Sequence, residues 1–502
     1  MTRLRRLLRR QDGISLVMAV GTLGVLSLTG ATLVFYSSSN ARSAEYSNRS
    51  ASAYGLAEAG INEMMAVLFK PENNALNPYL LPQTTHTLDT GSVTWSGTLT
   101  QSVTGASTWS LTSTGKMRNP NGPSDVTRRL TAKVPVVPTY TQPLNNPSWN
   151  FIYSRATGKT CDMTISQSVL VNSPLYVAGN LCLQNQAAVT AGPLIVHGGL
   201  TMDQSANYVG SVGTPINQLH VKNGCRWKGN ALHNPCQQGS GSAGFDNVWA
   251  SSISNTPAVS AAPAVDWDAW YLNANPGPYY PCLTMTGTAP TFDNDQGSAQ
   301  APNAAKRNNS LPTVQNLTPS TSYTCKGSSG ELSWNATTRV LTANGTIFID
   351  GSAKIENGLV NTFTGSSTIY VSGTLLVKNS KLCQATTGSG SSMTCTTSGW
   401  DPSQRMIVFV VNGNGSDGAP QNQVAGGDSV QLVSAYMQGA LYGTNAIDLG
   451  TTSQFDGPLD GSTVILGQST SSSFPGLTFV PAGMPGNPEV YAEPQPPQLY
   501  SG

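Results

Sequence analysis

Apolar residues follow three rhythms along this chain, and each rhythm predicts a different kind of element. From Ile14 to Tyr36 (ISLVMAVGTLGVLSLTGATLVFY) no charge interrupts the run. About 23 residues rising ~1.5 Å each cover the ~30 Å hydrocarbon core of a bilayer, so the segment predicts a transmembrane helix. Ser37 to Phe69 contains no proline and ends just before Pro71. The helix should therefore leave the membrane as one rod of about 56 residues, ~84 Å long. In its outer half Tyr46, Ala53, Leu56, Gly60, Met64 and Val67 recur at helical spacing as a narrow apolar stripe. Ala51, Gly55 and Ala59 add a line of small residues that permits close helix packing.

Over residues 85–138 the period changes to two. Val93, Trp95 and Leu99, then Trp109, Leu111 and Ser113, then Val126, Arg128, Leu130, Ala132, Val134 and Val136 alternate with polar positions. Gly91, Gly105, Gly115 and Asn121-Gly122 separate these runs, so an antiparallel sheet is predicted, with its tryptophans packed against the amphipathic half of the helix.

The third rhythm is an internal repeat. LYVAGNLCL (175–183), LIVHGGLTM (194–202), IFIDGSAKI (347–355) and IYVSGTLLV (369–377) share apolar residues at positions one, three, seven and nine and glycine at five. Looser copies, LHVKNGCRW (219–227) and LYGTNAIDL (441–449), place asparagine there. Copies spaced about 19, 25 and 22 residues apart suit one coil each of a parallel β-solenoid. Gly179, Gly198, Asn223, Gly351, Gly373 and Asn445 are then the corners, expected to bend through left-handed φ. Met406–Val411 and Val464–Leu466 read as further inward strands. Residues 236–345 lose the template and read as an insertion from one face. Its aromatic knot, Trp267, Trp270, Tyr271, Tyr279 and Tyr280, is a candidate binding surface or the packing that fixes the insertion. The fold class expected is mainly β with one long N-terminal α-helix: helix plus antiparallel sheet, followed by a right-handed parallel β-solenoid.

Composition narrows the function. The 502 residues carry 26 Lys and Arg against 25 Asp and Glu, a net charge of +1, with only 10% charged. Globular chains usually hold ~25% charged residues, so Ser, Thr, Asn and Gly coat this one, as in extracellular β-proteins. A near-neutral chain lacks the basic face that nucleic-acid binding needs. Arg3, Arg5, Arg6, Arg9 and Arg10 precede the apolar run and hold that end in the cytoplasm, leaving the bulk outside a single-pass anchor. Eight cysteines, Cys161, Cys182, Cys225, Cys236, Cys282, Cys325, Cys383 and Cys395, all lie in that outer part and imply disulfides. Sequence neighbours are the suggested pairs, among the roughly 105 connectivities possible.

Chemistry is sparse. His197, His220 and His233 show no zinc spacing with the cysteines. The run Asp293-Asn294-Asp295-Gln296-Gly297 lacks the carboxylate of a calcium loop, having Ala304 at the twelfth position. Asp266 with Asp268, or Asp456 with Asp460, could in principle pair as acid and base. No nucleophile elbow, phosphate loop or zinc-protease motif accompanies them. No cofactor or metal is expected, and the chain reads as non-enzymatic.

The basic leader, Gly13, the apolar helix from Ile14 and the segment AYGLAEAGINE resemble the N-terminal region of PilX-type minor pilins, relatives of type IV pilins and secretion pseudopilins. The most specific piece is Leu56, Ala57, Glu58, Ala59, Gly60 and Ile61. SLTSTGKMRN followed by VTRRLTAKVPV is similar to the sheet such proteins fold against their helix, which extends the resemblance over about residues 9–138. It implies cleavage after Gly13 to expose Ile14, pilus-like assembly or adhesion, and other pilin-like subunits and the assembly machinery as partners. The chain departs from the pattern at the fifth mature position, where pilins usually carry Glu and Met18 stands here. The organisation expected is a cytoplasmic leader (1–13), membrane helix (14–36), its continuation (37–70), sheet (71–138), Pro-rich linker (139–160), solenoid (161–235), insertion (236–345), solenoid (346–480) and Pro-rich tail (481–502). Two alternatives compete with the assembly function: a membrane-tethered module binding a surface glycan or protein, and a β-helix polysaccharide lyase or hydrolase, the latter on fold analogy alone.

Overall fold

The computed structural model describes residues 11–502 except 71–72, 74, 76–79, 101–106, 120, 139–140, 241, 243, 266–313, 328–329, 350–351, 416–423, 451, 468–470, 473–475, 488–491 and 502. The protein is mainly β with one long N-terminal helix. That helix, α1, runs unbroken from Gln11 to Leu68 over 58 residues, as the absence of proline permits. Four strands follow: β1 (Thr84–Leu88), β2 (Gly91–Thr100), β3 (Ser107–Met117) and β4 (Val126–Pro138). They pair antiparallel in sequence order. Alternate residues Trp95, Trp109, Leu111, Leu130, Ala132 and Val134 turn inward onto Ala57, Ile61, Met64 and Leu68 of α1. Two glycines let the layers touch: a Cβ at Gly60 would run into Ser113 and lie 2.9 Å from Val93 Cγ2, and one at Gly115 would lie 2.8 Å from the Ala57 amide.

Beyond β4 the strands stack in parallel. Each coil supplies three short strands, for example Leu175–Val177, Leu181–Leu183 and Ala188–Val189, and equivalent strands of successive coils pair in register. The template copies align as the repeat requires, Leu175 beside Leu194 beside Leu219, and Ile347 beside Ile369. Their inward residues, among them Leu175, Val177, Leu181 and Leu183, are fully buried. Met406–Val411 belongs here too, with Ile369 beside Phe409 beside Leu441.

The spatial order of the coils differs from their chain order. One ladder of ten parallel strands runs Val314–Asn316, Ser352–Ile355, Leu375–Lys378, Asp428–Val433, Ala446–Leu449 and Val464–Leu466, then Met163–Ile165, Leu181–Leu183, Leu200–Met202 and Cys225–Trp227. The last coil of the C-terminal half thus seats on the first coil of the N-terminal half: Leu459 pairs with Ile152, and Leu466 with Ile165. The chain enters mid-stack, climbs to one end, crosses to the other and climbs back to the seam. Residues 236–345 therefore do more than protrude from one face. The strand Val314–Asn316 lies within them, the strand Val340–Ile349 begins within them, and both belong to the ladders. Their deviant pattern reflects the end of the stack, where the strands Tyr323–Gly327 and Gly330–Asn335 add antiparallel to Val340–Ile349 and cover an open edge.

The Pro-rich segments are tied down. Thr141–Pro143 pairs with Phe479–Pro481. In the tail, Ala492–Pro494 and Gln498–Ser501 both add to the free edge of β4, so the predicted extended tail is strand where its prolines allow it.

The corners correct one expectation. Gly179, Gly198, Gly373, Asn223 and Asn445 are absent from the positive-φ positions, while Gly351 lies outside the described residues. At Gly179 a Cβ would sit 2.6 Å from the Ala156 carbonyl oxygen and overlap the Asp162 carboxylate; at Gly198 it would meet the backbone of Gly179. Close approach of successive coils excludes a side chain there. The left-handed residues occupy the next corner of the coil, at Gln167 and Ser168, Asn185 and Gln186, Asn379, Ser434 and Thr452.

Candidate functional site

The first candidate surface is the N-terminal part of α1. Twelve large apolar side chains between Ile14 and Phe35 are each more than 60% exposed, and this helix is long and apolar enough to cross a membrane. Several of its hydroxyls are satisfied within the helix. Thr22 Oγ1 donates to the Met18 carbonyl (2.9 Å), Thr29 to Val25 (3.0 Å), Thr32 to Thr29 (2.9 Å) and Ser38 to Phe35 (3.0 Å). Hydroxyls satisfied within their own helix are compatible with lipid, where an unpaired group costs several kcal/mol. Gly13 and Ile14 lie inside the helix, with Ile14 and Met18 exposed. Arg3, Arg5, Arg6, Arg9 and Arg10 fall outside the described residues.

The sheet takes hold of the helix from Glu45 onward. Asn121 donates to Glu45 (3.3 Å), Arg128 to Ser50 (2.8 Å) and the Trp95 indole to Glu63 (2.8 Å). Within the LAEAGI motif Ala57, Gly60 and Ile61 are buried against the sheet, Leu56 is half-buried, and Glu58 and Ala59 are exposed. The small-residue line Ala51, Gly55 and Ala59 faces away from the sheet, and an added Cβ at Gly55 would meet nothing within 4 Å. Of the expected stripe, Ala53, Gly60 and Met64 are buried, whereas Tyr46 remains 47% exposed.

A second feature was missed in the sequence. One outward ladder of the stack runs Tyr370, Val410, Tyr442, Asp460, Tyr153, Tyr176, Ile195, each beside the next. Yet each of these residues is at most 9% exposed. Three separate segments cover them. Tyr153 OH donates to the Ser260 carbonyl (2.6 Å), and the Ser260 amide donates to Tyr176 OH (3.1 Å). Tyr370 OH donates to the Gly483 carbonyl (2.6 Å). Trp149, fully buried, lies 6.4 Å from the Tyr442 ring and donates to the Pro485 carbonyl (2.8 Å). The clue was position two of the template, occupied by Tyr176, Ile195, Tyr370 and Tyr442: three adjacent apolar residues mark a strand buried on both faces.

The two carboxylate candidates in this region have separate partners. Asp456 accepts from Thr397 (2.8 Å), Tyr436 and Gln438 (3.3 Å). Asp460 lies 3.1 Å from Arg155 Nε across the seam, and Arg155 also donates to Tyr442 OH (2.8 Å) and to the Gly443 carbonyl. Burial raises the Asp460 pKa from 3.8 to about 7, outweighing the pull of Arg155. Burial also pushes the hydroxyls of Tyr153 and Tyr436 upward. Asp266, Asp268 and Asp293–Asp295 lie outside the described residues, as do Trp267, Trp270, Tyr271, Tyr279 and Tyr280.

Three disulfides join the expected neighbours: Cys161–Cys182, Cys225–Cys236 and Cys383–Cys395. The proposed partner of Cys325, Cys282, lies outside the described residues. Among the described residues no group of His, Cys, Asp and Glu is placed to hold a metal ion. His197 meets Tyr176 OH (2.8 Å), and His233 meets Asp246 (2.9 Å).

No protein-family model matches the chain, and no curated protein matches it. Among solved structures it is similar to the competence-associated pilin ComZ from Thermus thermophilus, at 11% identity and a TM-score of 0.37, over 90% of this chain and 98% of that one.

Proposed function

We propose that this protein is a non-enzymatic, pilin-like surface protein, anchored by α1, that takes part in a type IV pilus-like assembly or in adhesion and carries a right-handed β-solenoid outside the membrane. The single observation behind this assignment is the division of α1: one unbroken helix, bare and apolar at its N-terminal part, packed on an antiparallel sheet at its C-terminal part. Water does not tolerate the bare part. Covering the roughly two-thirds of these twelve large apolar side chains that is still exposed, at ~1.5–3 kcal/mol for each full burial, is worth roughly 12–24 kcal/mol. A bilayer supplies that cover, and so do the apolar helices of neighbouring subunits. The arginine leader holds the N-terminus in the cytoplasm. The outward line Ala51, Gly55 and Ala59 lets a second helix approach closely at the membrane-distal part.

In an assembly, cleavage after Gly13 would free Ile14 as the first residue. Met18 cannot offer the carboxylate that would meet a neighbour's terminal amine, which suits a tip or accessory position better than a repeated one. The test is the N-terminal sequence of protein recovered from membranes and from sheared surface filaments. A start at Ile14 in filaments is expected. An intact start at Met1, or one near Thr2, confined to membranes would overturn the assembly role and leave the membrane-tethered binding module in its place.

A further inference from the structure

We propose that the terminal coil of the stack carries a binding cleft for a neutral pyranose sugar, centred on Trp249 and Tyr208. It goes beyond the assembly role and does not depend on it. The cleft holds about 420 Å³ and is lined by Tyr208, Ser211, Val212, Gly213, Asn247 and Trp249 among others. That volume lies within the ~300–1,000 Å³ of small-ligand sites.

The walls are held rigidly by the backbone. The Trp249 amide donates to the Val209 carbonyl (2.7 Å), and the Trp249 carbonyl accepts from Ile216 (3.1 Å). Val209 and Val248 form a bridge between the two wall segments. Gly210 sits at φ +64° against the Trp249 carbonyl, where a side chain would collide. Asn247 donates to the Asn207 carbonyl (2.6 Å), and the hydroxyls of Ser211 and Thr214 close the rim at 2.6 Å.

The polar heads of the two aromatics are unspent and reach the cleft; among the other described tryptophans only Trp227, whose indole is buried in the core, also lacks a partner. Trp95, Trp109, Trp149, Trp334 and Trp400 each donate their indole N–H within the protein. Among the described residues Trp249 Nε1 and Tyr208 OH have no protein partner, and both residues are half-buried. The lining contains no carboxylate, amine or guanidinium, so nothing favours a charged ligand. Two aromatic rings with unspent donors, beside hydroxyls in a fixed cleft, match a ring that has apolar C–H faces and hydroxyl edges. A pyranose has both.

The experiment uses the full chain in a non-glycosidic detergent. Saturation-transfer NMR and calorimetry would be run against glucose, galactose, mannose and N-acetylglucosamine and their β-linked disaccharides. At least one should bind at a single site. Trp249→Ala should weaken it at least about tenfold, the equivalent of ~1.4 kcal/mol, and Tyr208→Phe should weaken it several-fold. Gly213→Leu should block it without disturbing the fold, because a Cβ there meets nothing within 4 Å. Absence of binding by the whole panel, or equal binding by wild type and a folded Gly213→Leu variant, overturns the cleft. Neither outcome touches the N-terminal start of the protein, which decides the assembly role separately.

Discussion

Asparagine in place of Asp460 should flatten the pH dependence of the seam where the two halves of the stack meet. Asp460 is 1% exposed, and neither of its oxygens accepts an aligned hydrogen bond, although Arg155 Nε stands 3.1 Å away. Burial therefore dominates, and the carboxyl titrates at about 7 instead of 3.8. An acid whose folded pKa is raised binds its proton more tightly when the seam is closed. Its contribution to stability is fully present below about pH 4 and is lost as pH rises through about 7. The whole gap corresponds to ~4 kcal/mol. Between pH 5 and 8 about two-thirds of it is traversed, equivalent to a roughly hundredfold rise in the opening equilibrium. Hydrogen exchange of peptides covering 152–157 and 459–466 reads this directly, because the Arg155 and Ala156 amides donate across the seam to Gly461 (3.0 Å) and Ser462 (2.7 Å). After correction for intrinsic exchange, wild-type opening should rise with pH. Asp460→Asn should lose most of that slope. Asp428, raised to about 6 by burial and then by Asp448, retains a smaller slope of the same sign in the neighbouring coils. Equal slopes in the two proteins, or a wild-type seam indifferent to pH, would refute the reasoning.

Three further outcomes follow from packing. Gly60→Leu should destabilise the helix and sheet by ~1–3 kcal/mol or more, because the new side chain meets Ser113 and Val93, whereas Gly55→Ala should raise helix stability by ~0.5–1 kcal/mol; thermal unfolding followed by circular dichroism separates the two. Trp149→Ala should cost ~3–5 kcal/mol and release both connecting segments from the aromatic ladder, seen as faster exchange over 141–152 and 477–487 together. Replacing Cys161 and Cys182 by serine opens a loop closed across a separation of 21 residues and should lower stability by ~3 kcal/mol, read as an earlier guanidinium midpoint.

The elements legible in the sequence were those set by local pattern. The unbroken α1, the alternation of Trp109 and Leu111 in β3, and the register of Leu175 with Leu194 all follow from periods of 3.6, two and one coil. Adjacent cysteines pair because one coil brings Cys161 close to Cys182. The corner glycines are legible in the repeat, but a left-handed bend is not what requires them. Their backbone is ordinary, and what excludes a side chain at Gly179 is the carboxylate of Asp162 in the preceding coil.

By itself, then, the sequence determined the long helix, the alternating strands of the sheet, the template strands of the coils with their inward faces, and that α1 begins with a stretch water cannot solvate, because each depends on neighbours within one turn or one coil. Tertiary structure alone decided the order of the coils. Parallel strands with similar inward Leu, Val and Ile are nearly interchangeable as stacking partners, so nothing local tells Leu466 to sit beside Ile165. The same holds for the buried outward ladder and for the cleft. Tyr176 looks like a surface residue until Ser260, far along the chain, is laid across it, and Trp249 and Tyr208 come to line one cleft only through the pairing of Val209 with Val248 and Trp249.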